Sequence, residues 1–298
     1  MSGFQASEGE LRLAWRNWRL LSCLAIAGVV VSASGALQTD IEYANAGGES
    51  LRLDASVPDG PGPFPAVILV HGGAWVRGDK SGGPDKAYIA PLYEPLTRAG
   101  FAWFSINYRL APTNRYPAGV DDVATAIRWV KSHASEFHVD PKRIAIAGES
   151  AGGHFAALAA MKTAPSNGLA AIVCFYTPFD IAGDAEPDAP MHPALVPLFG
   201  FTNRTHEAVA LLQEASPLNY VKPGLPPFLL MHGTADSRVA FTQSSNLQVR
   251  LRAVGVSCDL ITITNGEHNM VTWTNVNTDY KGKVVEWLDR VLSKPPEN

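Results

Sequence analysis

Cysteine is scarce in this 298-residue chain, with three in all, and charged residues make up only 17% of it. Three thiols cannot build the dense disulfide framework of a small secreted domain, so the fold must rest on a packed core. With 46% hydrophobic residues, a large one is available, which excludes a disordered chain. Runs of like charge are also missing, and the net charge is −4. Nucleic acid and anionic membrane surfaces are therefore poor partners, and a small neutral or mildly charged ligand suits the chain better. The histidines show no HExxH pattern or close paired-ligand spacing, and there is no glycine-rich phosphate loop. The sequence thus implies neither a metal nor any other cofactor.

The apolar run near the N-terminus, Leu20 to Val31, covers 12 residues, whereas a membrane-spanning helix needs about 20. Arg12, Arg16 and Arg19 precede it and "SASGA" follows, which is the order of an export leader with Ser34 and Ala36 at the −3 and −1 positions. Residues 1–36 are expected to be a cleaved signal peptide and 37–298 the exported protein, periplasmic or extracellular, with no stable membrane insertion after cleavage. A retained anchor is the alternative. Cys23 opens the apolar run instead of following it, which argues against a lipid-modified cysteine. Cys174 and Cys258 lie in separate strand-like runs and are expected as two buried thiols.

Short apolar runs recur: "AVILV" at 66, "FAWFSI" at 101, "RIAIAG" at 143, "AAIVCFY" at 170, "FLLMHG" at 228 and "LITIT" at 260. They are continuous instead of alternating, as strands buried on both faces are. Helix-like stretches such as "VDDVATAIRWVKSHASEF" and "SGGPDKAYIAPLYEPLTRAG" lie between them. That alternation predicts an α/β domain with a mainly parallel sheet. "SLRLDASVPDG" near residue 50 looks like part of an antiparallel pair at the start. Residues 180–227 carry no strand-like run and suggest short helices, including "HEAVALLQEAS". An insertion there would overhang the ligand crevice as a lid.

"RIAIAG", "ESAGG" and "HFAALAA" read as strand, sharp turn and helix, with Ser150 between Gly148 and Gly152. This is the pattern of a nucleophile elbow, although an N-cap serine on a tight turn would also satisfy it. A serine hydroxyl needs a base, and the base needs an acid. The order Ser, then acid after a later strand, then His after the last strand selects Asp236 in "HGTADSRV" and His268 in "NGEHNM". Of eight histidines only His268 lies beyond Asp236; Asp180 is the alternative acid. "VILVHGGAW" can aim backbone N–H groups at an oxyanion, which assigns the hole to Gly73, Ala74 and, just after the nucleophile, Ala151. His71 is read as holding that loop, with a general-base role as the alternative. Trp75, Phe179, Phe199, Phe201 and Trp273 are candidates for lining an acyl or alcohol pocket, with ordinary packing the alternative. Asp79 and Lys80 read as a structural pair.

With these residues in place the chain resembles the α/β-hydrolase superfamily, in its esterase/lipase branch of hormone-sensitive-lipase-like and acetyl-xylan/feruloyl-type carboxylesterases. The matching segments are "HGGAWVRGDK", "NYRLAP", "YPAGVDDVATAIRWV", "DPKRIAIAGESAGG", "ASPLNY" and "HGTADSRV", in family order from about residue 50 to 290. The resemblance implies an eight-stranded, mainly parallel sheet over residues 37–298 and a serine ester hydrolase acting through an acyl-enzyme. It implies short-acyl substrates, among them acetylated or feruloylated carbohydrate. An amide-cleaving relative such as an arylformamidase is the alternative, and a non-catalytic hydrolase-fold binding protein is a further one. The chain departs from its lipase-like relatives in three ways. Ala74 stands where they carry a third glycine, Glu149 where they often have aspartate, and little chain is available for an N-terminal cap.

Overall fold

The apolar runs all become strands. The computed structural model describes residues 36–83, 88–183, 188–277 and 279–293, and in it eight strands form one sheet in the order β1-β2-β4-β3-β5-β6-β7-β8. β1 (Ala36–Ala46) and β2 (Glu49–Val57) pair antiparallel across a two-residue turn. Gly47 and Gly48 sit there at φ +62° and +86°, as a turn matching strand twist requires. β2 runs antiparallel to β4 (Ala102–Ile106). From β4 onward the sheet is parallel, through β3 (Phe64–Val70), β5 (Val139–Glu149), β6 (Ala171–Phe175), β7 (Phe228–Gly233) and β8 (Cys258–Ile263).

The continuous apolar character of these strands follows from burial on both faces. In β3, Ala66, Ile68 and Val70 join one core cluster, while Val67 and Leu69 point into the other. The first cluster is covered by α2 (Ala118–Ser132), α3 (Ala151–Thr163) and α6 (Thr242–Ala253), through Val123, Phe155 and Leu247 among others. The second is covered by α1 (Tyr93–Arg98) and α8 (Tyr280–Leu292), through Leu96 and Trp287. Cys174 and Cys258 are free, buried thiols, as expected.

One stretch differs from the sequence expectation. Among the described residues between 81 and 100 a helix forms only at the end, as a single 3-10 turn (Ala90–Leu92) and α1, closed at Gly100. Gly82 and Gly83, at φ +83° and +70°, hold a turn instead. The 180–227 insertion does contain short helices, α4 (Val196–Phe199), α5 (His206–Glu214) and a 3-10 turn (Pro217–Tyr220). It is anchored, however: Leu198, Phe199, Leu212 and Leu218 belong to the main core. The expected export leader lies outside the described residues except for Ala36, which opens β1. Among the described residues no helix is long and apolar enough to cross a membrane.

Candidate active site

The parallel strands all end on one side of the sheet, and the strand order reverses at β3, which has β4 on one flank and β5 on the other. Crevices of α/β sheets open beyond such ends. β5 runs directly into α3, and Ser150 at the junction adopts φ 50°, ψ −120°. Such a backbone costs a non-glycine residue about 1–3 kcal/mol and is held only by its surroundings. The Ser150 N–H donates to Phe175 O at 3.0 Å, and the His154 N–H to Ser150 O at 3.0 Å. At Gly152 a Cβ would collide with the carbonyl oxygens of Val70 and His71, so only glycine lets α3 start against the end of β3.

The loop after β7 carries Asp236, whose Oδ1 accepts the N–H groups of Arg238 and Val239, each at 2.9 Å. Its Oδ2 lies 2.7 Å from His268 Nδ1 and 3.3 Å from His232 Nε2. Burial pushes this carboxyl up, but the hydrogen bonds from His232, His268 and Val239 outweigh it and hold it well below the usual carboxylate range. An ionised Asp236 fixes the Nδ1–H tautomer of His268, which leaves Nε2 as an acceptor, 2.8 Å from Ser150 Oγ. Asp180, the alternative acid, is elsewhere: its Oδ1 accepts the Gly183 N–H at 2.8 Å, and it makes no bond to His268.

Beyond β3 the chain turns through Gly73, Ala74 and Trp75 at φ +111°, +53° and +63°. Among the described residues, no acceptor is found for the N–H groups of Gly73, Ala74 or Ala151. Gly73 and Ala74 line a cavity of about 1050 Å³ together with Ser150 and His268, and Ala151 follows Ser150 at the start of α3. His71 is buried beneath this loop, stacked on Tyr108 at 4.4 Å between ring centres, with Nδ1 2.8 Å from Gly72 O. Burial pushes its pKa down to about 4, so it is a neutral donor to the loop.

Two side chains at the site have roles that the sequence reading did not assign. His232, in the "HG" that ends β7, is fully buried between Asp236 and Ser244 Oγ, and steadies the acid. Glu149, next to Ser150, accepts the Gly72 N–H at 2.5 Å and thus ties the β5–α3 turn to the glycine loop. Burial pushes its carboxyl up to about 7, although the hydrogen bonds from Gly72 and Tyr176 act the other way. A carboxylate at the end of a continuous apolar strand was the available signal.

The aromatic candidates separate. Trp75 lines the cavity and donates its Nε1–H to His154 Nδ1 at 3.1 Å. Phe179, Phe199, Phe201 and Trp273 are not part of the lining. Phe179 is wholly buried, Phe199 packs on Tyr116, Phe201 rests against the main core, and Trp273 packs edge-on to Tyr176 and donates to Glu267 O at 2.7 Å. Asp79 and Lys80 do not pair with each other. Lys80 instead bridges Asp54 at 2.8 Å and Asp40 at 3.0 Å, tying the loop to the first two strands, while Asp79 binds Ser81 and Asn107.

Residues 53–251 match the BD-FAE family. The chain belongs to the BD-FAE family. Esterase LipQ of Mycobacterium tuberculosis is 33% identical over 234 residues, which is 74% of this chain and 53% of LipQ. Esterase LipC of the same organism is 31% identical over 206 residues, 65% of this chain and 50% of LipC. The chain spans about half the length of the curated relatives it matches. Among solved structures, a truncated form of carbohydrate esterase from gut microbiota superposes with a TM-score of 0.76 at 26% identity, covering 89% of this chain and 99% of that one. Esterase Est2 of Thermogutta terrifontis gives 0.71 at 24% identity, covering 91% of this chain and 96% of Est2, and shares the fold. The fold is that of an α/β-hydrolase, as the motifs implied.

Proposed function

We propose that the chain is a serine carboxylic-ester hydrolase with Ser150 as nucleophile, His268 as base and Asp236 as its orienting acid. The observation that carries this reading is the unbroken relay, Ser150 Oγ to His268 Nε2 at 2.8 Å and His268 Nδ1 to Asp236 Oδ2 at 2.7 Å, on the wall of the cavity. His268 takes the Ser150 proton as Oγ adds to the ester carbonyl carbon. The carbonyl electron pair moves onto oxygen, where the Gly73, Ala74 and Ala151 N–H groups receive it. Collapse breaks the bond to the alcohol oxygen, which leaves with the proton from His268 and gives acyl-Ser150. Water, deprotonated by His268, repeats the addition and releases the acid and free Ser150.

The names of LipQ and LipC support ester over amide cleavage, and the complete relay speaks against a silent binding protein. The carbohydrate-esterase neighbour supports short-acyl esters of carbohydrate as the substrate class. The leader-like N-terminus supports export, which fractionation of expressing cells would test. The first assay is hydrolysis of 4-nitrophenyl acetate, butyrate and octanoate, with acetylated xylan and an N-formyl aromatic amide in parallel. Turnover of the short esters is expected, falling by a factor on the order of 10⁴ or more in Ser150→Ala. Equal rates in both proteins would overturn the reading, and turnover of the formamide alone would select the amide-cleaving one.

A further inference from the structure

The cavity wall contains a buried guanidinium with no ion-pair partner among the described residues. Arg204 is only 7% exposed and lies in the cavity wall contributed by the 180–227 insertion. Its Nη2 donates to Ala182 O, its Nε finds no acceptor, and no ion pair reaches it among the described residues. Leaving a guanidinium buried and unpaired is costly, and arginine's fork of donors fits a carboxylate in particular. By contrast Arg109, also half hidden, is spent on Asp122 through bonds of 2.7–3.1 Å.

The backbone presents Arg204 firmly. Its N–H donates to Ala189 O at 2.9 Å, and its carbonyl accepts the Asp188 N–H at 3.1 Å. The preceding residue, Asn203, bridges Pro190, while the following one, Thr205, caps α5. The rest of the wall adds to the positive field. Arg77 and Arg238 line the cavity, exposed and without an ion pair among the described residues, and His192 lines it too. Of the acidic groups facing the same space, Glu149 accepts the Gly72 N–H and is pushed up to about 7 by burial, Asp180 is engaged by the Gly183 N–H, and Glu267 is exposed.

We propose that Arg204 is a specificity residue that reads a carboxylate on the substrate, so that the preferred ester carries an anionic group on its acyl or its alcohol part. This rests on the ester-hydrolase reading. A uronic acid on the alcohol side and a dicarboxylic acid on the acyl side would supply the same chemistry. The guanidinium supplies a charge-assisted N–H donor to the carboxylate, and its burial strengthens the pair.

The test uses two matched pairs of esters. 4-Nitrophenyl hexanoate against the 4-nitrophenyl monoester of adipic acid places the charge on the acyl side. Phenyl acetate against 4-carboxyphenyl acetate places it on the alcohol side. For each pair the kcat/KM ratio of anionic to neutral ester is measured in the wild type, Arg204→Gln and Arg204→Lys, corrected for spontaneous hydrolysis. A ratio within one variant cancels any general loss from misfolding. In one pair the wild-type ratio is expected to exceed that of Arg204→Gln by about tenfold or more, carried by KM. Arg204→Lys should keep part of the preference, and 0.5 M salt should shrink the wild-type ratio. The pair that responds tells on which side the carboxylate lies. Ratios that are the same in wild type and Arg204→Gln for both pairs, with neutral esters still turned over, would overturn this proposal alone. No turnover of any ester by the wild type would overturn the hydrolase reading and the proposal with it.

Discussion

Glu149 and Asp236 are two buried carboxyls whose protons respond oppositely to folding. Burial at Glu149 pushes the pKa up to about 7, so the folded state holds this proton more tightly than the unfolded one. Its contribution is therefore most favourable in acid and is lost as pH rises from the ordinary carboxylate range through about 7. Gln keeps an acceptor for the Gly72 N–H and removes the titration. The melting temperature of Glu149→Gln relative to wild type is accordingly expected to rise between pH 5 and pH 8 in a fluorimetric melt; a difference that stays flat would count against it. Asp236, held low by its hydrogen bonds, stabilises above the ordinary carboxylate pKa, and that share disappears as the solution is acidified. Ser150, Asp236 and His268 were legible as residues because strand, turn and chain order selected them. Glu149 and His232 were not, because each looked like the edge of an apolar strand, and only the folded neighbours reveal what their polar atoms touch.

At the scale of elements, periodicity and apolar runs located the six parallel strands and the amphipathic α2, since strands covered on both faces leave an unmistakable continuous apolar signature. It failed at residues 81–83, where the left-handed Gly82 and Gly83 hold a turn that the apolar spacing does not register. The insertion shows how a local cap can serve a distant site. Thr205 Oγ1 accepts the Ala208 N–H at 3.2 Å and so starts α5 immediately after Arg204. Thr205→Ala should cost about 1 kcal/mol in urea unfolding, as loss of a helix cap does. An unchanged unfolding midpoint would show that packing of Leu212 and Ala208 fixes the helix without the cap.

Across the whole molecule, the larger core cluster encloses both thiols. Burial pushes Cys174 far up and Cys258 up to about 12, so neither forms a thiolate near neutrality. Neither should react with a thiol-directed reagent in the native protein, and both should react after denaturation, as peptide mass mapping would read. Labelling of Cys174 without unfolding would show that the α3 and β6 packing opens locally.

The sequence by itself determined the sheet class, the choice of Ser150, Asp236 and His268 as the residues that the fold brings into one relay, and the glycine loop that faces them. These depend on local rules: continuous apolar runs, a glycine-flanked turn, and the fixed order in which strand ends reach one edge of a parallel sheet. What only the tertiary structure decided is which polar groups meet across the chain. Lys80 turned from Asp79 to Asp40 and Asp54, four of five aromatics went into packing, and Glu149 met Gly72, 77 residues away. Arg204, unremarked in the sequence, came to rest in the cavity wall with no carboxylate paired to it among the described residues. Such pairings follow from three-dimensional proximity and from the cost of burying an unmet charge, and neither is written in spacing along the chain.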